Sequence, residues 1–544
     1  MAAAVAACSG GNVPSPTYQG EESFTFSSAG NPQVKVAEGV LEGTLESGLK
    51  IFRGIPFAQP PVGDLRWKAP QEVKPWTGVR EAKKFGDDPM QGNPFGDMGF
   101  NAEKKSEDCL YLNIWTPAKS ASDGLPSVIY FNGGGLYAGS GSEPRYSGEA
   151  MAREGIISIT ANYREGIFGF FAHPELSAET SYGGSGNWGF LDQVAAIKWV
   201  HDNISAFGGD PSRITIVGES AGSMSVSALI ATPLTKGLFS KAMASSGSVT
   251  AGTIPTQEEA DALGVAKLQE MGVKNIAEAR AMSAEDLLVK SNINGVPTYN
   301  VDGYFFPEQP SAIYEKGLQQ KVPLLVGRNS AEMTPLMFLM GRPATLENIR
   351  PVMAATFGDK VDQAMALYGF VSDADVLGKP GYDFASDLFI AYSTWKFGYL
   401  HAKTSGQPVY RYYFSKPRPA MAMQGVVAEL AGGVRKVDDD APVVQAPPVF
   451  NGAAHSADIE YAMGTLPTNR VYDWQPEDYY VSAQFLSFYA NFIKSGNPNG
   501  LGLPDWHTIN GKEFPPQMII DVDSHEVVDE NFEKRNLFLM EFMH

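Results

Sequence analysis

The segment Ile214-Thr-Ile-Val-Gly-Glu-Ser-Ala-Gly222 constrains this chain more than any other. Ile214 to Val217 reads as a short buried strand. Gly218-Glu-Ser-Ala-Gly222 follows at once, and Ser223 to Ala231 reads as a helix. Strand, G-x-S-x-G and helix in this order make a turn so tight that its serine must take a strained backbone. Gly218 and Gly222 carry no Cβ, so strand and helix can close on each other. Ser220 then projects its hydroxyl from the tip. The free N–H groups and positive end of the new helix point to the same spot. In this context Ser220 is a candidate nucleophile; a bare G-x-S-x-G would not be enough, because small-residue turns are common.

A hydroxyl is a poor nucleophile and needs a base and an oxyanion hole. Val128-Ile-Tyr-Phe131 reads as an apolar strand that runs into Asn132 and then Gly133-Gly134-Gly135. Three consecutive glycines leave backbone N–H groups unshielded. The alternative is a flexible turn. Its place after a buried strand and ahead of the serine turn favours an oxyanion loop of the lipase and esterase kind.

Further motifs accompany these two. They are Phe52-Arg-Gly-Ile-Pro-Phe-Ala58, Pro60-Pro-Val-Gly63, Ser106-Glu-Asp-Cys-Leu-Tyr-Leu-Asn113, Ala161-Asn-Tyr-Arg164, Gly186-Asn-Trp-Gly-Phe-Leu-Asp-Gln193 and Phe207-Gly-Gly-Asp-Pro211. With them the chain resembles the type-B carboxylesterases, the family that also contains the cholinesterases. The similarity runs from about Val34 to the end. It implies an α/β-hydrolase fold: a mostly parallel central sheet flanked by helices, with large helical excursions over the active site. It also implies a serine carboxylesterase working through an acyl-enzyme.

The resemblance implies the rest of the site. Gly327-Arg-Asn-Ser-Ala-Glu332 matches the acid-bearing segment, with Glu332 as the acid. Gly452-Ala-Ala-His-Ser-Ala-Asp458 matches the histidine segment, with His455 as the base. Ser220, Glu332, His455 is the chain order expected of this fold. Gly134, Gly135 and Ala221 fall on the oxyanion positions, and Glu219, Ser246 and Asp458 on a second polar layer. That layer either orders water and steadies His455 or simply packs. His455 must be neutral to act as base, which predicts an acid limb at about pH 6 to 7.

The chain departs from the family pattern twice. Asn132 stands where the family usually has His before the glycines, and its amide can brace the loop. Cys109 stands where relatives often have half a disulfide, but the partner segment Asp87-Asp-Pro-Met-Gln91 has no cysteine.

Composition narrows the function further. The 544 residues include 61 acidic against 42 basic side chains, net charge −19, which argues against a nucleic-acid partner. No apolar run reaches about 18 residues, so no transmembrane segment is expected. No Cys or His cluster has metal-ligand spacing, so neither metal nor cofactor is expected. Asp438-Asp-Asp440 lacks the spacing of a calcium loop. The expected partner is a small-molecule ester; the oligomeric state is open. Val5-Ala-Ala-Cys8 resembles the end of a bacterial lipoprotein signal, which would place the enzyme at the cell envelope or periplasm with a lipid anchor on Cys8. The alternative is a disordered tail. Residues 1–30 are therefore read as signal remnant and tether, and 31–544 as one hydrolase domain.

Val34 to Phe57 reads as a hairpin region, Glu258 to Lys290 and Leu346 to Leu400 as helices above the sheet. Tyr137, Trp188, Phe338 and Trp395 are candidate pocket walls, with ordinary core packing as the competing role. The segment from Lys416 to Pro448 leads into the histidine segment and carries Lys416, Arg418, Arg435 and Lys436. Basic groups at a pocket mouth would attract a carboxylate-bearing ester, such as a toxin or xenobiotic ester. Pairing with Asp438 to Asp440 is the plainer role for them. Two other functions stay open: amide or thioester hydrolysis on the same triad, and a noncatalytic binding or adhesion protein of the same fold.

Overall fold

The computed structural model describes residues 24–95, 98–292, 299–428, 434–436 and 451–543. An 11-stranded sheet forms its centre. In chain order the strands are β1 (Thr44–Glu46), β2 (Leu49–Pro56), β3 (Tyr111–Thr116), β4 (Leu125–Phe131), β5 (Ile157–Ala161), β6 (Gly209–Glu219), β7 (Lys241–Ser245), β8 (Leu324–Asn329), β9 (Val409–Phe414), β10 (Pro516–Ile520) and β11 (His525–Val528). Their spatial order is β11-β10-β9-β8-β7-β6-β4-β5-β3-β2-β1. Every pair from β10 across to β5 is parallel. Antiparallel strands extend both edges, β11 on one side and β3, β2 and β1 on the other. This is the α/β-hydrolase arrangement.

The central strands read as unbroken apolar runs because both faces of the sheet are covered. β5, β7 and β8 are buried at every residue. Successive side chains still alternate between faces. Ile129, Phe131, Ile216 and Val326 join the core on one face. Val128, Tyr130, Val217 and Leu325 join the core on the other.

The N-terminal region forms two hairpins. Pro32–Val36 pairs with Gly39–Glu42 in a small separate sheet, and β1 pairs with β2 on the main one. Gln257–Glu270, Ile276–Ala281 and Ala284–Ser291 are helical, as are Leu346–Phe357, Val361–Tyr368 and Lys379–Ser386. The serine-bearing turn feeds α1 (Ala221–Ala231), and a later excursion ends in α2 (Tyr392–Thr404). Residues of this excursion build a third core, in which Leu339, Ile349, Met353 and Phe357 pack with Phe538 of α3 (Glu530–Leu539). Asp387–Ala391, just before α2, winds as a π-helical turn, a distortion that recurs at functional sites.

Among the described residues no helix is long and apolar enough to cross a membrane. Cys109 is a buried free thiol. Cys8 with its tether, and Asp438 to Asp440, lie outside the described residues.

Candidate active site

The serine turn has the strained geometry that its spacing demands. β6 ends at Glu219, α1 starts at Ala221, and Ser220 between them has φ 57° and ψ −122°. A Cβ on Gly222 would stand 2.2 Å from the Phe131 carbonyl oxygen, and one on Gly218 2.4 Å from the Gly222 carbonyl carbon. Strand, turn and helix therefore touch backbone to backbone. Ser220 N–H donates to the Ser245 carbonyl at 2.8 Å, which pins the turn to β7.

The glycine loop lies against this turn. Gly134 has φ 109°, and a Cβ there would meet the Ala138 carbonyl oxygen at 1.9 Å. Gly134, Gly135 and Ala221 line the cavity beside Ser220. Ala221 is the first residue of α1, so its N–H has no acceptor within the helix. Asn132 braces the loop: its Nδ2 donates to the Gly133 carbonyl and to Glu165 Oε1, both at 2.9 Å. Burial pushes the Glu165 carboxyl well above the usual carboxylate range, opposed by its bonds to Asn132 and Tyr163.

The acid and base segments are tied to one another before either reaches Ser220. Ala331 N–H donates to the Ala453 carbonyl (2.8 Å), Ala453 N–H to Ser330 Oγ (2.7 Å), and Asn329 Nδ2 to the Ala454 carbonyl (2.8 Å). His455 Nδ1 then lies 2.7 Å from Glu332 Oε2, and Nε2 lies 2.9 Å from Ser220 Oγ. In the neutral imidazole Nδ1 carries the proton, because a carboxylate can only accept, and Nε2 is then left to accept from the Ser220 hydroxyl. Glu332 is fully buried. Its Oε1 accepts from Ser246 Oγ at 2.5 Å and from Asn329 N–H at 2.6 Å.

Of the second polar layer, Ser246 bonds the acid directly. Asp458 accepts from Tyr412 (2.8 Å) and Asn329 (3.1 Å), so it holds the strand end that carries the acid rather than the imidazole. Glu219 is the exception, with Oε1 3.4 Å from His455 Nε2. Burial pushes its carboxyl up to about 8, opposed by His455. Burial also works against a charged His455, but Glu219 and Glu332 together outweigh it and hold the imidazole up at about 9. Glu219 and His455 therefore compete for one proton.

Beside Ser220 lies a cavity of about 330 Å³. Its walls include Phe95, Met224, Tyr299, Phe389, Ile390 and Arg145. None of the four aromatics read as walls is among the lining residues. Trp188 is buried and donates to the Phe171 carbonyl at 3.0 Å. Trp395 is buried, donates to Glu533 at 2.9 Å and borders a separate cleft. Phe338 packs on Phe384 at 6.3 Å. Tyr137 is half-buried, with its ring 3.1 Å from where a Gly135 Cβ would stand. Large rings gain most from full burial, and the two tryptophans went to the core, while Tyr137 and Phe338 are partly buried outside the cavity lining. Met224 was within reach of sequence reasoning, since it lies one helical turn beyond Ser220. Phe389 and Ile390 were not, because they depend on the π-helical turn. Nor did any motif mark Arg145.

The loop cations, too, lie otherwise than the sequence suggests. Lys416 is buried and paired with Glu477 and Asp478, each at 3.0 Å. Arg418 pairs with Glu460 at 2.8 Å and donates to the Ser456 carbonyl at 3.1 Å. The local acids satisfy both, so neither is a free charge at the mouth. Arg435 and Lys436 belong to the strand Val434–Lys436, paired with Val426–Ala428, and their side chains lie outside the described residues.

Sheet order and serine turn together place the molecule in the α/β-hydrolase class. The chain belongs to the carboxylesterase family, whose pattern it matches over residues 30–538. By family it is a carboxylic ester hydrolase. It is 40% identical to a fumonisin B1 esterase of Sphingopyxis macrogoltabida over 349 residues, which cover 62% of this chain and 63% of that relative's length. It is 32% identical to the medium-chain fatty acyl-CoA hydrolase precursor of Anas platyrhynchos over 522 residues, covering 89% and 87% of the two chains. A solved PNB esterase structure superposes with a TM-score of 0.75 at 29% identity, covering 93% of this chain and 99% of that one.

Proposed function

We propose that this chain hydrolyses carboxylic esters through an acyl-enzyme on Ser220. The observation that carries the reading is the unbroken relay from Glu332 through His455 to the Ser220 hydroxyl, at 2.7 and 2.9 Å. His455 Nε2 takes the hydroxyl proton as Oγ bonds to the carbonyl carbon. The carbonyl oxygen becomes an oxyanion, received by the N–H groups of Gly134, Gly135 and Ala221. The C–O bond to the alcohol breaks, and His455 returns the proton to the leaving oxygen. Water then repeats the sequence on the acyl-enzyme and releases the acid. Glu332 fixes the imidazole and stabilises its charged form.

The cavity volume falls within the range of small-molecule sites. The fumonisin B1 esterase among the relatives makes a toxin ester a substrate to try first. The fatty acyl-CoA hydrolase relative supports thioesters as a second reading. A panel pairing esters with matched thioesters and amides separates the two. Ser220→Ala is expected to fold normally and to lose roughly 10⁴- to 10⁶-fold in turnover. A fluorophosphonate should label Ser220 and no other serine in the wild type. Near-normal turnover in the variant would remove the proposal.

A further inference from the structure

Arg145 is the only lysine or arginine among the described residues that line the Ser220 cavity. It follows Pro144 in a 3₁₀ turn, and its carbonyl accepts from Thr465 Oγ1 at 2.8 Å. The residue is 8% exposed. Its guanidinium lies 5.0 Å from the centre of the Tyr146 ring. Nε donates to Glu143 at 2.7 Å, but the buried Nη1 has no protein acceptor.

The acids around Arg145 keep it charged but leave Nη1 without an acceptor. Burial pushes the Glu143 carboxyl up to about 7 even with Arg145 beside it. Glu460 also acts on Arg145, but it is bonded to Arg418 and Asn469. Glu219 acts on it as well, and shares its proton with His455. Arg145 itself stays charged, because these acids outweigh the cost of its burial. A buried guanidinium donor left unpaired at the wall of a cavity is costly unless an acceptor joins it.

We propose that Arg145 receives a carboxylate carried by the substrate, so that the site favours esters with a free acid group. This rests on the ester-hydrolase reading above and names its substrate class. The molecule as a whole repels anions, at a net charge of −19. A preference for an anionic ester must therefore arise locally, and Arg145 is the group placed to supply it.

The test compares matched pairs at low salt. Monoethyl glutarate is set against ethyl valerate, and 4-acetoxybutanoate against butyl acetate. This places the acid first on the acyl side and then on the alcohol side. In at least one pair the wild type should favour the anion in kcat/KM. That ratio should fall at least about tenfold in Arg145→Met and recover in part in Arg145→Lys. The double variant Glu143→Gln, Arg145→Met guards against an effect of the stranded acid and should behave as Arg145→Met does. Glutarate should compete with the neutral esters in the wild type and lose that ability in Arg145→Met. Equal loss on neutral and anionic esters would make Arg145 structural and overturn the proposal. So would neutral turnover without an anionic advantage in either pair. A wild type inactive on every ester would instead fell the ester-hydrolase reading, and this inference with it.

Discussion

Glu219 lies next to Ser220 in sequence and beside His455 in space. Its Oε1 approaches His455 Nε2 at 3.4 Å, while Glu332 holds the other ring nitrogen at 2.7 Å. Two carboxylates on one imidazole hold its proton more tightly than the single acid of the relay would. His455 is held up at about 9, so activity falls as pH drops through a limb set above 7. Glu219→Gln removes one of the two carboxylates and keeps the size. The limb should then move toward the ordinary histidine range, by about one unit or more. A pH–rate profile of kcat/KM for wild type and variant on a neutral ester checks this. An unmoved limb would mean that Glu219 does not share the proton. The residues of the relay were legible because each sits in a segment with its own sequence pattern. The competition between Glu219 and His455 was not. It depends on a through-space approach in a buried site, and sequence spacing carries no information about burial.

At the scale of elements, the serine turn works because β4, β6 and α1 meet through glycine. A methyl on Gly222 would sit 2.2 Å from the Phe131 carbonyl and 3.1 Å from that of Asn132, and both are backbone. Neither can swing aside as a side chain would. Gly222→Ala should cost about 1 to 3 kcal/mol of stability. Because the strain displaces Ser220 relative to the glycine loop, kcat/KM should also fall about 100-fold or more. Thermal unfolding and ester kinetics on the same preparation read the two effects. Normal kinetics would show slack between loop and turn. The elements meeting here were readable because their demands are local: apolar runs for strands covered on both faces, glycine where backbones touch. The pocket walls were not. An aromatic on an excursion helix has the same local signature whether it faces the core, as Trp395 does, or the cavity, as Phe389 does. The loop cations failed for a related reason. Their partners Glu460, Glu477 and Asp478 come from segments that only the fold brings near.

For the whole molecule, the site is a concentration of buried acids in a protein already rich in them. Glu219 is pushed up to about 8 and Glu143 to about 7, in each case with burial as the largest cause. His455 is held up at about 9. Glu143, and Glu219 with His455 as a coupled pair, bind protons more tightly when folded than when unfolded. Their contribution to stability is full below the unfolded values, about 4.5 for the two glutamates and 6.5 for the histidine. It is lost as pH rises through the folded values. Two features act in the opposite sense at low pH. His401 is buried and lowered to about 4, so acid forces a proton onto it only by opening the core. Glu46, paired with Arg53, is lowered to about 2, and its contribution fades as acid protonates it. Stability should therefore peak near pH 4.5, because above it the two raised glutamates outweigh His401 and below it only His401 and Glu46 act, and it should decline on both sides. From pH 6.5 to 9 the melting temperature should drop by several degrees, more than the few tenths of a kcal/mol typical of surface groups would produce. Calorimetry across this range gives the curve. The double variant Glu143→Gln, Glu219→Gln should flatten its alkaline side, because an amide has no proton to lose. A wild type equally stable at pH 6.5 and 9 would mean that these acids do not bind protons more tightly in the folded state, and would remove the electrostatic account of the site along with the prediction.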